Sequence, residues 1–180
     1  LRRKMSKSLG NSPDCLKLIA DFGADAVRYG ILASSPAGGD LLFDEKLCEN
    51  GRNFCNKIWN ATRLVKGWQT DSSEPLQPLQ QFAIQSFSHK WNKCKTAIHQ
   101  DINQFRLSDA ITTLYSFVWD DFCSWYLEMV KPEASGPMAP QLKEQSIAFF
   151  EEMLSALHPF MPFITEELWH QLAERKLNDD

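Results

Sequence analysis

No two of the five cysteines stand as a Cys-x-x-Cys pair. Cys15, Cys48, Cys55, Cys94 and Cys123 are odd in number and widely spaced, which argues against both a disulfide framework and a zinc ribbon and points to a reducing cytoplasm. Histidine is scarce as well. The four, His89, His99, His158 and His170, show no ligand spacing, so no metal site is expected. Nowhere does an apolar run approach the roughly 20 residues of a membrane-spanning helix. No secretory apolar segment opens the chain either, so no membrane partner is expected. There is no glycine-rich nucleotide fingerprint and no internal repeat. The sequence begins at Leu1 rather than Met and is read as a piece of a longer protein.

What remains is ordinary folding material. A hydrophobic fraction of 43% with 12% aromatics in 180 residues suffices for one ample core. The net charge of -4 is unevenly spread. Residues 1–68 hold 11 lysines and arginines against 7 acids, whereas residues 69–180 hold 8 against 16. A polyanion is therefore expected to favour the first third of the chain.

Along the chain the pattern is helical. Residues 1–11 are polar and read as a loop. Ser12-Pro13-Asp14 predicts an N-cap and first turn of a helix running to about Phe22, stopped by Gly23. A second helix is expected over Ala24–Ala33, a turn over 34–40, and a short strand at Leu41-Leu42-Phe43. From Asp44 to about Trp68, Leu47, Gly51, Phe54, Ile58, Ala61 and Val65 share one face of a helix, with amides and arginines nearly opposite. Thr70 to Gln80, with Pro75 and Pro78, reads as a linker. Further helices are expected over about 81–103, 107–131, 141–157 and 164–174. In the second of these, Leu107, Ile111, Leu114, Val118, Phe122, Trp125 and Met129 form a core stripe. Asp121 beside it is expected to be a partly buried acid with hydrogen-bond partners. His158 is expected to cap or pack at the break before the last helix, and Thr165 to cap that helix ahead of Glu166 and Glu167. The fold class is mainly α, a helical bundle preceded by a small α/β segment.

Two stretches carry chemistry. The first is Lys4-Met5-Ser6-Lys7-Ser8, followed by Leu9-Gly10-Asn11. Two lysines and two serines with no acid among them suit a polyphosphate, the ammonium groups as point charges and the hydroxyls as hydrogen-bond donors. Such donors act where charge builds in nucleotidyl transfer. The second is the polar face of the 44–68 helix, with Arg52, Asn53, Asn56, Lys57, Asn60 and Arg63, and Trp59 at its edge. Amides and guanidiniums can read base edges, arginine also pairs with phosphate, and an exposed indole can stack on an unpaired base. The alternative is a solvated surface with Trp59 packed on a neighbour.

The first stretch, together with Gly23-Ala24-Asp25-Ala26-Val27-Arg28, resembles the class I aminoacyl-tRNA synthetases for branched aliphatic amino acids and methionine. Gly38 to Glu45 and Gly51-Arg52-Asn53-Phe54-Cys55-Asn56-Lys57-Ile58-Trp59-Asn60-Ala61 look most like the valyl branch. The resemblance continues through Trp119 to Glu128 and His158 to Trp169, and covers nearly the whole chain in the family's order. It implies that Lys4, Ser6, Lys7 and Ser8 close over ATP, with Lys7 and Lys4 stabilising the pyrophosphate leaving group. It implies that residues 1–43 end a catalytic core and form a stem-contact fold, and that residues 44–180 are an α-helical anticodon-binding domain. The partners implied are tRNA of the valine isoacceptors, with ATP, Mg2+ and valine used by the full-length enzyme, a cytoplasmic monomer. The family's His-Ile-Gly-His signature does not occur in this sequence, so these 180 residues alone are expected to be inactive. An isoleucyl-type synthetase and a non-catalytic helical RNA- or protein-binding module remain the alternatives.

Overall fold

The structure, a computed structural model, describes residues 5–10, 12–132 and 136–173, the Lys7 side chain excepted. After a short 3-10 turn at Lys7–Leu9, eight α-helices follow among the described residues: α1 (Cys15–Phe22), α2 (Ala24–Ala33), α3 (Glu45–Gly67), α4 (Pro78–Asn103), α5 (Leu107–Ser116), α6 (Leu127–Val130), α7 (Pro140–Leu157) and α8 (Pro162–Leu172). Between α5 and α6 the chain stays helical but widens into π-type turns over Phe117–Tyr126. None of these helices is long and apolar enough to cross a membrane.

Helix starts follow local chemistry where local chemistry exists. The Asp44 carboxylate accepts the Lys46 amide at 3.0 Å and starts α3. Asp14, not Ser12, starts α1 by accepting the Leu16 amide at 2.9 Å, so the expected cap is displaced by two residues. At α4 the Gln80 side chain accepts the Gln77 amide at 3.0 Å, and Pro78 enters the helix rather than ending a linker. The expected strand at Leu41–Phe43 is absent, and no strand occurs among the described residues. Three apolar residues with no partner strand cannot satisfy a ladder. Phe43 instead packs against a small cluster of Leu18, Val27 and Cys48. Thr70 and Met138 form an isolated bridge that ties the α3–α4 connection to the segment before α7.

The apolar face of α3 enters the main core as expected. Phe54, Ile58 and Val65 are fully buried there with Phe87, Trp91, Leu114, Phe122, Tyr126 and Phe150, while Leu47 is only half-buried. On α3's other flank α2 lies against it at very close range. A Cβ on Gly51 would sit 2.8 Å from the Ala26 carbonyl oxygen, and one on Gly30 2.7 Å from Cys48 Sγ.

The π-type turns change which residues face inward. Val118 and Phe122 are buried as the stripe requires, but beyond them Tyr126 is buried and Trp125 is half-exposed. Tyr126 hydrogen-bonds Ser146 at 2.9 Å on α7. Leu107, expected in the stripe, is exposed at the start of α5. Asp121 is half-buried and pairs with Lys90 at 2.6 Å.

Helix α8 is not started by Thr165. Thr165 lies inside the helix, and its hydroxyl donates to the Met161 carbonyl at 2.8 Å. Pro162 occupies the first helical position, where a missing N–H costs nothing. The next amides are taken by another helix: Ile164 donates to Asp25 Oδ2 at 2.6 Å and Phe163 to Asp25 Oδ1 at 3.4 Å. Three residues along α2, the Arg28 guanidinium donates to the carbonyls of Pro159 and Phe160, each at 3.0 Å. Thus α2 holds both sides of the α7–α8 corner, its acid on the amides and its base on the carbonyls. His158 caps α7, and its Nδ1 lies 2.8 Å from the Thr165 hydroxyl.

Candidate nucleic-acid interface and phosphate loop

The loop that carries the basic string runs into the 3-10 turn at Lys7–Leu9. Lys4 lies outside the described residues, as does the side chain of Lys7. The hydroxyls of Ser6 and Ser8 lie 2.7 Å apart, and Ser8 is exposed. Each of the two hydroxyls can act as donor or acceptor. Met5 and Gly10 line an open cleft together with Ser12, Pro13, Phe43, Asp44 and Glu45, so the loop meets the first turn of α3.

Further along α3 lies the polar face. Asn53, Asn56, Asn60 and Arg63 are all exposed. None of their side chains has a hydrogen-bond or ion-pair partner among the described residues. At 1.5 Å per residue this row lies about 12–27 Å along the helix from Glu45. One rigid rod therefore fixes the distance between loop and row.

The remaining predicted residues divide by contact. Arg52 is turned toward α1: its guanidinium donates to the Asp21 carbonyl at 3.4 Å and lies 5.4 Å from the centre of the Phe22 ring. It thus helps close the C-terminal end of α1, where exposed carbonyls favour a cation. Trp59 is half-buried and packs against the main core. Lys57 reaches the opposite flank, where its ammonium stands 5.1 Å from the centre of the Trp119 ring on the π segment. The same charge lies near Cys123, whose thiol burial pushes up to about 12 despite it.

Trp119 opens one of the stretches that carry the family resemblance and is not among the expected RNA-binding residues. Its signal was its position: it sits one residue beyond Val118 and three before Phe122, on the outer flank of the core stripe. Tyr115 lies behind it, with ring centres 5.6 Å apart and planes at 22°. The Tyr115 hydroxyl is pushed up by burial and by the nearby Asp120 carboxylate.

Residues 85–180, more than half of the chain, match the family model described as the anticodon-binding domain of tRNA ligase. The chain belongs to this anticodon-binding domain family. Residues 2–44 of this domain-bearing chain match a second model, tRNA synthetases class I (I, L, M and V). All of α3 lies between the two matched ranges.

Curated relatives run through that gap. The chain is 54% identical over 173 residues to valine--tRNA ligase of Porphyromonas gingivalis, covering 96% of this chain and 20% of that protein. It is 52% identical over 174 residues to valine--tRNA ligase of Christiangramia forsetii, covering 97% and 20%. The figure is 38% over 194 residues for that of Chlorobaculum tepidum, covering 98% and 22%. The anticodon-binding domain and its flanking segment thus span about a fifth of the length of these relatives. In shape the chain is similar to one in the crystal structure of the ternary complex of Agrobacterium radiobacter K84 agnB2 LeuRS-tRNA-LeuAMS. The TM-score is 0.66 at 20% identity, covering 97% of this chain and 21% of that one, which supports the fold.

Proposed function

We propose that this chain is the part of a valine–tRNA ligase that carries the phosphate loop and binds the anticodon arm of tRNA. The observation that carries the RNA reading is the row of Asn53, Asn56, Asn60 and Arg63, exposed and without side-chain partners among the described residues, on a helix locked into the core. Amides left unpaired in this way are available to base edges, and the guanidinium to phosphate. Lys57, Trp59 and Arg52 flank the row, Arg52 mainly by bracing α1. The choice of valine is supported by the similarity to valine--tRNA ligases along 96% of the chain.

In the full-length enzyme, Lys4 and Lys7, with the hydroxyls of Ser6 and Ser8, would bind the ATP phosphates. The lysine charges would stabilise pyrophosphate as it leaves. Mg2+ would be held through the phosphate oxygens. Residues 1–43 would end the catalytic core and 44–180 form the anticodon-binding unit of a cytoplasmic, monomeric enzyme. The 180 residues alone would hold tRNA without charging it.

The test is a titration with unmodified valine tRNA at stepped salt. Binding should be weak, with log K falling linearly in log salt, and Arg63→Ala should flatten that slope by about 0.7–0.9. If Asn56→Ala/Asn60→Ala/Arg63→Ala binds as the parent does, the α3 face is not the RNA site.

A further inference from the structure

The α3 row is one side of a strip whose other side comes from the π segment. On the helix surface Lys57 neighbours Asn53 and Asn60, four and three residues away. Its ammonium reaches across to the Trp119 ring at 5.1 Å. We propose that Trp119 is a stacking platform for an unpaired nucleobase, with Lys57 as its removable cover and Asp120 as an acceptor for the base's amino group. The proposal rests on the RNA-binding reading of α3 and adds a second element to it.

Three observations carry it. Trp119 is half-buried and packs against the main core, whereas Val118 before it and Phe122 after it are fully buried, so part of this ring stays open to solvent. It is held from behind. Tyr115 stacks on it and is itself wedged against Phe54 at 4.9 Å and Tyr29 at 5.5 Å between ring centres. That backing fixes the indole in place before any ligand arrives, so little ordering is needed on binding. Finally, Lys57 stands at the ring and the exposed Asp120 follows Trp119 in the chain. Lys57 has no acidic partner among the described residues, and neither does Asp120 have a basic one.

These two opposite charges match the two faces of a nucleotide. A lone ammonium over a partly exposed indole is held weakly and is set free when a base takes its place, which leaves it close to the backbone phosphate of that nucleotide. A carboxylate repels phosphate but accepts from the exocyclic amino group of cytosine, adenine or guanine. Single-stranded RNA offers both groups at one residue, whereas a duplex keeps its bases stacked and paired. The ligand class is therefore an unpaired RNA loop.

A hairpin RNA with an unpaired loop and a duplex of the same stem are titrated against the 180-residue protein, with far-UV circular dichroism checking each variant. Trp119→Leu is expected to weaken hairpin binding by about 5- to 150-fold, the range of a lost base–aromatic stack, with no change in salt slope or in duplex binding. Trp119→Phe should keep most of the affinity. Lys57→Met should flatten the hairpin slope by about 0.7. Should Trp119→Leu unfold, protein labelled with 5-fluorotryptophan decides: the fluorine resonance missing from Trp119→Phe must shift on adding hairpin and stay still on adding duplex. A resonance that stays still with hairpin overturns the proposal. So does full hairpin affinity in Trp119→Leu while Asn60→Ala/Arg63→Ala loses it, and that result leaves the α3 reading standing. Hairpin affinity untouched by Asn60→Ala/Arg63→Ala removes the α3 reading itself, and the platform with it.

Discussion

The Ile164 amide donates to Asp25 Oδ2 at 2.6 Å, across 139 residues of chain. Asp25 belongs to Gly23–Arg28 and Ile164 to His158–Trp169, two of the stretches that mark the family resemblance. Their meeting gives that resemblance a physical content. The first supplies an acid and a base, and the second a helix start with open amides and a corner with open carbonyls. The start of α8 is thereby joined to α2, and α2 to α3, so the loop-bearing segment and the helical bundle share one framework.

Asp25→Ala should therefore cost more than a surface change. It removes the cap of α8 and leaves two part-buried amides without their acceptor, a loss of about 1–3 kcal/mol. For a chain of this size each kcal/mol moves the melting temperature by about 2–4 °C. A fall of several degrees in a thermal melt followed by circular dichroism is expected. An unchanged melt would mean that the α2–α8 clasp does not form in solution.

Two glycines of α3 should respond in opposite directions. Gly51→Ala places a methyl 2.8 Å from the Ala26 carbonyl oxygen and 2.9 Å from its Cα. Backbone cannot yield as a flexible side chain does, and overpacking of this kind costs about 1–3 kcal/mol. Gly67→Ala meets nothing within 4 Å and should be neutral or stabilising by up to about 1 kcal/mol, through the lower entropy of the unfolded chain. Urea midpoints of the two variants check this. Equal shifts would contradict the close α2–α3 approach.

Alkali should unfold the protein earlier than its acidic composition suggests. Burial pushes the thiols of Cys55, Cys94 and Cys123 to about 12 from an ordinary 9.0. Burial also pushes the hydroxyls of Tyr29 and Tyr126 to about 12 from 10.0. Between those values the folded form keeps protons that the unfolded form has lost. The stabilisation is thus complete below about pH 9 and is lost as pH rises toward 12. Melting temperatures should stay level up to roughly pH 8.5 and fall above it. In the same range only the exposed Cys15 should react quickly with a maleimide, the other thiols following as the fold opens. A melting temperature that holds through pH 11 would show that these groups are not buried as described.

Legibility from sequence followed how local the cause was. The start of α3 was readable because Asp44 caps its own helix, and its buried face because Phe54, Ile58, Ala61 and Val65 repeat at helical spacing. Asn53, Asn56, Asn60 and Arg63 were placed together by the same periodicity. What failed was non-local. Thr165 looked like a cap because the true one, Asp25, lies in a different helix. Leu41–Phe43 looked like a strand because nothing in three residues says whether a partner strand exists. The widened turns over Phe117–Tyr126 have no short-range signature, so Trp125 was placed where Tyr126 belongs. Trp119 and its pairing with Lys57 could not be seen, since 62 residues separate two side chains on different elements.

The clasp between Asp25 and the start of α8 also has a timetable. At roughly 5–20 residues per second of synthesis, about 7–28 seconds separate the emergence of Asp25 from that of Ile164. During that interval an acid destined for burial faces water, and α2 must wait with its partner unmade. The clasp can close only after α8 leaves the ribosome. Truncations that stop short of α8 should therefore be handed to chaperones rather than accumulate as a smaller stable fold.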